Sequence, residues 1–308
     1  MPGIFNGAFL IHKEQGMTSH DVVFKLRKLI KDKQIGHTGT LDPMATGLLM
    51  CLVGPSVKLL PYLGNENKKY SLELMLGCQT DTWDITGKIL KQNSIDSLNE
   101  EMIRLSVLSL QGPQEFEIPM YSAKKINGVK LYEVAREKKE LEVESFLGPK
   151  KAMNFWDLDN IKVRSPRVSL DLWCSKGSYI RSWIFQLGER LNVGATLVNL
   201  KREAIDKYTI DRSQSLLEIE NDLGKNLKPK SYIEQKELVQ SFYIYNLSPQ
   251  DIVPMENGLL SYDLKSRLLN LNVNAEFIFC HFQNELISIV QNKPDLRIKK
   301  VFKSKPMV

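Results

Sequence analysis

The amino-acid sequence predicts an α+β protein with a second, smaller β-rich unit at its C-terminal end. Three observations lead there. Strand-like apolar runs at 7–13, 48–53, 69–79 and 168–174 alternate with stretches near 19–30, 98–110 and 180–191 whose apolar residues recur at helical spacing. Past residue 235 the pattern shifts to short apolar strands, 276–280 and 286–290, between turns rich in Asn, Asp and Lys. A chain of 308 residues has room for one large domain and one small one, read here as 1–235 and 236–308.

The totals narrow the class. With 43% apolar and 25% charged residues, the composition is that of an ordinary soluble globular protein. A net charge of +6 and a pI near 8.9 suggest a polyanionic partner. Cys51, Cys78, Cys174 and Cys280 form no C-x-x-C pair, and the first three lie in apolar runs, which predicts buried free thiols in a reducing compartment. No apolar run reaches the roughly eighteen residues of a membrane span, and the N-terminal residues lack a charged-then-apolar leader. The cytoplasm is the expected location. The sequence also lacks a P-loop, a dinucleotide glycine fingerprint and a His/Cys ligand cluster.

Taken in order, residues 7–13 form a short apolar strand ending in Lys13. Gly16-Met17-Thr18-Ser19 is a turn, with Ser19 as expected N-cap of a helix whose apolar face is Val22, Val23, Leu26, Leu29 and Ile30. Its basic positions, Lys25, Arg27, Lys28 and Lys31, form a solvated face or meet phosphates. Next comes the densest stretch, Gly36-His37-Thr38-Gly39-Thr40-Leu41-Asp42-Pro43-Met44-Ala45-Thr46-Gly47. Its glycines permit close backbone approach, and Pro43 pushes Asp42 towards extended geometry. The apolar run Leu48–Val53 reads as a strand buried on both faces. A polar loop with one carboxylate at its tip, backed by a buried strand, is how a chain presents a reactive group rigidly; a plain Asp-Pro turn is the other reading.

Residues 69–79 alternate as a strand carrying Tyr70, and 80–87 form a loop into another strand. Asp81 and Asp84 there are expected to hold loop backbone, since two carboxylates without further oxygen ligands make a weak metal site. Ser97-Leu98-Asn99-Glu100 reads as a capping box opening a helix to about Leu110. Residues 121–150 carry seven Lys/Arg and five Glu. Ser175-Lys176-Gly177-Ser178-Tyr179-Ile180-Arg181 turns into a helix with apolar face Ile180, Trp183, Ile184, Leu187 and Leu191. Arg181 lies one step from that face, where an arginine needs a carboxylate partner. In the C-terminal unit, Leu259-Leu260 is a third strand candidate, and the tail from Lys293 to Lys305 holds six Lys/Arg against one Asp.

Four strings in this chain together resemble one family, the TruB-type tRNA pseudouridine synthases. They are GHTGTLDPMATGLLMCLVGPSVKL, KEQGMTSHDVV, KYSLELMLGCQTDTWDITG and CSKGSYIRS, and the resemblance extends to about residue 212. The first motif departs from the family in carrying Glu14 where proline is usual. The resemblance implies a mixed, mostly antiparallel central sheet flanked by helices (the pseudouridine synthase fold), with a PUA-like C-terminal module. For that tail, a solvated basic segment is the other reading.

The same resemblance implies isomerisation of uridine to pseudouridine at position 55 in the T loop of tRNA, without cofactor or metal, by a cytoplasmic monomer. It makes Asp42 the catalytic nucleophile or base, with Arg181 paired to it, favouring its charged form and orienting it. Tyr70 would stack on the flipped base, with Tyr179 and the Leu200 backbone in the uridine pocket. His37 would fill the space left by the base or brace the displaced loop. Residues 121–150 would be an RNA-gripping insertion, with Lys124 and Lys125, together with Lys13, Lys176 and Arg202, on the RNA backbone. The alternatives are a guide-RNA-dependent enzyme of ribosomal RNA and a non-catalytic tRNA-folding chaperone. A phosphate-tracking surface predicts that raising salt from about 50 to about 200 mM weakens RNA binding by ~10-fold or more. Filter binding across that range checks it, and a flat response would count against such a surface.

Overall fold

The structure is a computed structural model describing residues 5–63, 66–122, 125–126, 129–130, 147–292 and 295–302. It opens with β1 (Gly7–Lys13), α1 (Ser19–Ile30), the short β2 (Ile35–His37) and β3 (Thr46–Val53). β4 (Lys68–Leu76), the small pair β5 (Cys78–Thr80) and β6 (Ile89–Gln92), and α2 (Glu100–Leu108) follow. β7 (Gly112–Pro119) precedes a hairpin of two-residue strands, β8 (Lys125–Ile126) and β9 (Val129–Lys130). Then come the long β10 (Leu147–Arg164), β11 (Arg167–Cys174), α3 (Ile180–Arg190), β12 (Ala195–Ile205) and β13 (Tyr208–Thr209). α4 (Leu216–Gly224), β14 (Tyr232–Glu234) and α5 (Gln235–Val239) lead into the C-terminal unit. That unit holds β15 (Tyr243–Asn246), α6 (Pro249–Glu256), α7 (Tyr262–Leu269), β16 (Phe277–Phe282), β17 (Glu285–Gln291) and β18 (Arg297–Val301).

The main sheet runs β14-β1-β3-β12-β4-β11-β10-β7, with β2 added on β3 and β13 on β12. Every pairing in it is antiparallel except β12 with β3, where Lys201 and Arg202 lie beside Thr46 and Gly47. Strand periodicity assigns its two faces. Phe9, Ile11, Leu49, Cys51, Leu72, Leu74, Leu170 and Leu172 point to the face covered by the helices, against Val22, Leu26, Trp183, Ile184 and Leu187. Removing each such side chain from water contributes about 1.5–3 kcal/mol, enough to outweigh its lost rotamer freedom. Ala8, Leu10, Leu48, Met50 and Leu52 point the other way and join one apolar cluster with Phe279, Leu286, Ile289 and Phe302 of the C-terminal unit. β3 is therefore buried on both faces, as its apolar run predicts.

Some local expectations are corrected. Thr18, not Ser19, caps α1: it exchanges hydrogen bonds with Asp21, whose carboxylate returns to the Thr18 N–H at 2.8 Å. Asn99, not Ser97, caps α2, its side chain accepting from the Met102 N–H at 2.8 Å. The C-terminal unit is less β-rich than its turns suggest. Leu259 and Leu260 form no strand but link α6 to α7, and these helices pack Met255, Leu264 and Leu268 on the sheet β15-β16-β17-β18. Most of the 121–150 segment lies outside the described residues, Lys124 included, and of Lys125 only its place in β8 is described. All four cysteines are free and buried, and no helix among the described residues is long and apolar enough to cross a membrane.

The β3–β12 contact depends on a missing side chain. Gly47 has φ +105, and a Cβ there would lie 2.7 Å from the Arg202 nitrogen and closer still to its carbonyl oxygen. Gly47→Ala should destabilise the fold by ~2 kcal/mol or more. Urea denaturation reads this directly; an unchanged midpoint would mean that the two strands part at no cost.

Candidate active site

The loop between β2 and β3 is held by bonds from five other segments: β1, the turn after it, α1, β3 and β12. The buried Ser19 hydroxyl accepts from the Leu41 N–H at 2.8 Å and lies 3.2 Å from the Leu41 carbonyl, to which it donates. The Gly16 N–H donates to the Pro43 carbonyl at 2.8 Å, and the Thr38 N–H to Met50 at 3.1 Å. From β12, Arg202 donates through Nε to the Leu48 carbonyl at 2.6 Å and through Nη2 to Gly39 at 3.1 Å. Lys13 Nζ donates to the carbonyls of Met17 at 2.7 Å, Glu14 at 3.0 Å and Pro43 at 3.4 Å. A loop whose carbonyls are claimed from beneath has little freedom left, so Asp42 at its tip has a fixed position.

Arg181, on the first turn of α3, meets Asp42 as a two-pronged fork. Nε lies 2.9 Å from Oδ2, and Nη2 donates to Oδ1 at 3.1 Å. The guanidinium is 6% exposed, so its remaining N–H groups need partners too. Nη1 donates to the Thr82 carbonyl at 3.0 Å and Nη2 to the Tyr121 carbonyl at 3.0 Å. Asp84 stands behind it at 3.7 Å from Nη1, its other oxygen accepting from the Thr86 N–H and both threonine hydroxyls of the β5–β6 loop. Asp81 likewise accepts from the Lys88 N–H at 2.8 Å, so both aspartates hold loop backbone as expected. The Asp42 side chain is 31% exposed, which leaves it open to a ligand while its partner is sealed in.

Asp42 opens into a cavity of about 390 Å³ lined by Tyr70, Tyr179, Arg181, Leu200 and Lys176, with Lys68 and Arg202 in its wall. Two tyrosines and a leucine around one carboxylate make a slot suited to a flat, uncharged ring. Burial pushes the Tyr70 hydroxyl up to about 12, and that of Tyr179 upward as well, so both stay protonated. Seven of the residues singled out in the sequence thus converge here. His37 does not line this cavity. It lines a neighbouring one of about 720 Å³ with His20, Pro43, Met44 and Thr86, and Asp42, Arg181 and Ser122 belong to both. Burial, with Arg202 nearby, lowers the His37 pKa below its usual range, which favours the neutral imidazole.

Two expected RNA-backbone residues are corrected. Lys13 and Arg202 are fully buried, and their donors go to loop carbonyls instead of outward. Burial lowers the Lys13 ammonium to about 8, against its ordinary 10.5. Sequence reasoning also missed Ser19 as the anchor of Leu41, Asp84 as a second carboxylate behind Arg181, and the buried Lys68–Glu66 pair at 3.2 Å. Lys68 sits two positions before Tyr70 on one strand face, a spacing that places both side chains in the same wall. Among the described residues, no group of three or more His, Cys, Asp or Glu side chains is arranged to hold a metal ion.

Residues 27–180 match the TruB family pseudouridylate synthase N-terminal domain. A tRNA pseudouridine synthase B of Bdellovibrio bacteriovorus is 39% identical over 306 residues, covering 97% of each chain. The chain belongs to the TruB family. It is accordingly an enzyme, a pseudouridine synthase. A second relative, the tRNA pseudouridine synthase B of Clostridium kluyveri, is 37% identical over 306 residues, or 98% of this chain and 99% of its own. Among solved structures, a chain of the H/ACA RNP bound to a substrate RNA containing 2'-deoxyuridine superposes with TM-score 0.69 at 15% identity. It covers 98% of this chain and 87% of that one, and a Cbf5-Nop10-Gar1 complex matches equally well at 17% identity. At such identities the likeness shows the fold alone, and that fold is the pseudouridine synthase fold expected from the sequence.

The fork gives a direct test within this family's reaction. Arg181→Lys keeps the charge but loses the planar pair of donors, and should lower turnover by ~100-fold while RNA affinity stays within ~3-fold. Single-turnover rates and binding constants measured side by side separate the two. Near-normal turnover would mean that orientation by the fork is not needed.

Proposed function

We propose that this protein converts the uridine at position 55 in the T loop of tRNA to pseudouridine, with Asp42 as the nucleophile or base. The observation that carries this reading is the Asp42–Arg181 fork at the floor of a cavity walled by Tyr70, Tyr179 and Leu200. Names of the relatives support tRNA as the substrate class, and the net charge of +6 suits a phosphate-rich partner.

A uridine inside a folded loop is unreachable until it swings out of its stack. In this reading Tyr70 then lies against the extruded base, Tyr179 and the Leu200 backbone set its edge, and Asp42 reaches the sugar or the ring. His37, in the adjoining cavity, is placed to brace the RNA around the vacated position. Lys176, exposed at the rim, and Lys124 and Lys125 of the insertion are assigned to the RNA backbone. The working unit is a monomer gripping the T arm. Asp42 serves any of three routes: attack on C1′, addition to C6, or removal of the C2′ proton. Each uses the carboxylate held in one orientation, which the facing guanidinium fork provides.

Tritium release from a T-arm transcript carrying 5-tritiated uridine tests the reading, alongside a transcript with cytidine at position 55. Wild type should release one equivalent from the first and none from the second. Asp42→Asn should abolish release, a loss of ~10⁴-fold or more, with affinity within a few-fold. Tight binding without release from wild type would instead favour the folding-chaperone role, and release from the cytidine transcript would move the target elsewhere.

A further inference from the structure

Three buried cations line the Asp42 cavity among the described residues: Arg181, Lys68 and Arg202. Two are neutralised. Arg181 faces Asp42 and Asp84, and Lys68 faces the buried Glu66. Arg202 is different. It is 0% exposed, its Nε and Nη2 donate to the carbonyls of Leu48 and Gly39, and Nη1 is buried without a hydrogen-bond partner among the described residues. Among the described residues no carboxylate forms an ion pair with it; Glu66, within reach of its charge, is paired to Lys68. A guanidinium cannot shed its proton, so a full positive charge is fixed beneath the cavity. Holding an unpaired ion out of water is costly, and carbonyl dipoles offset only part of that cost. Its field reaches the surrounding groups: it helps to lower the pKa of Lys13, His37 and Lys68, and its charge together with a side-chain interaction opposes the upward push of burial on the Tyr70 hydroxyl. Gly39 adds no bulk above it; a Cβ there would stand 3.7 Å from Nη1 and 3.1 Å from Cε of Lys68.

We propose that Arg202 is a charge-positioning residue of the reaction, whose fixed cation stabilises the negative charge that the uracil acquires as its bond to the sugar gives way. The proposal rests on the pseudouridine synthase reading above, and it holds for each route open to Asp42. When the C1′–N1 bond breaks, its electron pair stays on the base and spreads from N1 to O2 and O4. The sugar is satisfied either by a new bond from the Asp42 carboxylate to C1′ or by loss of the C2′ proton to that carboxylate. When Asp42 adds to C6 instead, the C5–C6 pair moves through C4 onto O4. One negative charge thus sits on the base in every case, until C5 bonds to C1′ and releases its proton. Arg181 is poorly placed to answer that charge, since two carboxylates already claim it. Arg202 is free to do so, in a site dry enough for the charge to count.

The experiment compares wild type, Arg202→Gln and Arg202→Lys on two T-arm RNAs, with uridine or 5-fluorouridine at the target. Loss of the parent nucleoside is followed in single turnover by nuclease digestion and mass spectrometry. Fluorine makes the base more acidic and a better leaving group, so it needs less help from a cation. Arg202→Gln should lose ~100-fold or more on uridine with affinity within ~3-fold, and its deficit should shrink by ~10-fold on the fluorinated RNA. Arg202→Lys should recover most of the rate. If Arg202→Gln fails to fold, the residual deficit of Arg202→Lys must show the same contraction. An equal deficit on both RNAs would make Arg202 a mere strut under Gly39 and Leu48 and overturn the proposal, as would a wild-type rate in Arg202→Gln. A wild-type protein inert on both RNAs would instead sink the position-55 reading, and the proposal with it.

Discussion

A guanidinium taken out of water must be answered on every side, and that requirement at Arg181 assembles the site. Three hydrogen bonds and one ion-pair contact, all at 3.1 Å or less, join it to Asp42, Thr82 and Tyr121, with Asp84 behind. These partners come from the β2–β3 loop, the β5–β6 turn and the end of β7, while the arginine itself rides on α3. Segments up to 139 positions apart in the chain are therefore brought together by one side chain. Asp42 gains from this arrangement without being sealed in. Its partner is buried and it is not, so the rigid half of the pair faces the protein and the reactive half faces the cavity.

The second constraint lies under the loop. Its carbonyls at Gly39 and Pro43, and that of Leu48 in the strand behind it, are taken by Arg202 and Lys13, two long basic chains that reach up from strands of the main sheet. Charged donors make stronger bonds to carbonyls than neutral ones, and long side chains reach through a sheet that has no room for more backbone. The result is a loop with an irregular path and the rigidity of a strand. Orientation of this kind lowers a barrier before any chemistry begins, because the carboxylate has no alternative position to leave.

Much of this was legible in the sequence, for definite reasons. The helical stripe of Val22, Leu26 and Ile30 and the continuous run of Leu48–Val53 state their own burial, and the loop between them declares itself through glycine and proline. Asp42, Arg181, Tyr70, Tyr179 and Leu200 were named beforehand and do line one cavity. What failed was the reading of polar residues by type. The resemblance puts Lys13 and Arg202 on the RNA backbone, side chains of a type that almost never lies fully buried, and only their tertiary partners explain the exception. Ser19 next to Thr18 offers two candidate caps, and nothing local says that one of them is spent on Leu41. Asp84 was read correctly as a loop holder, yet its second oxygen turns towards Arg181 across 97 positions of chain, beyond any local pattern. In the C-terminal unit, short helices flanked by leucines resemble strands when only turns mark their ends.

The apolar cluster shared by the first strands and the last ones has a consequence for how this protein is made. β1 and β3 leave the ribosome early, but Ala8, Leu10, Met50 and Leu52 are covered in part by Phe279, Leu286, Ile289 and Phe302. At roughly 5–20 residues per second, the interval between the two is on the order of ten to fifty seconds. Through that time the nascent catalytic half carries a greasy strand face that its own Leu59, Tyr62 and Ile205 cover only in part. A ribosome-bound chaperone has a natural client there, and premature termination between the end of β12 and β16 would leave a polypeptide holding every residue of the Asp42 cavity yet prone to stick to its neighbours.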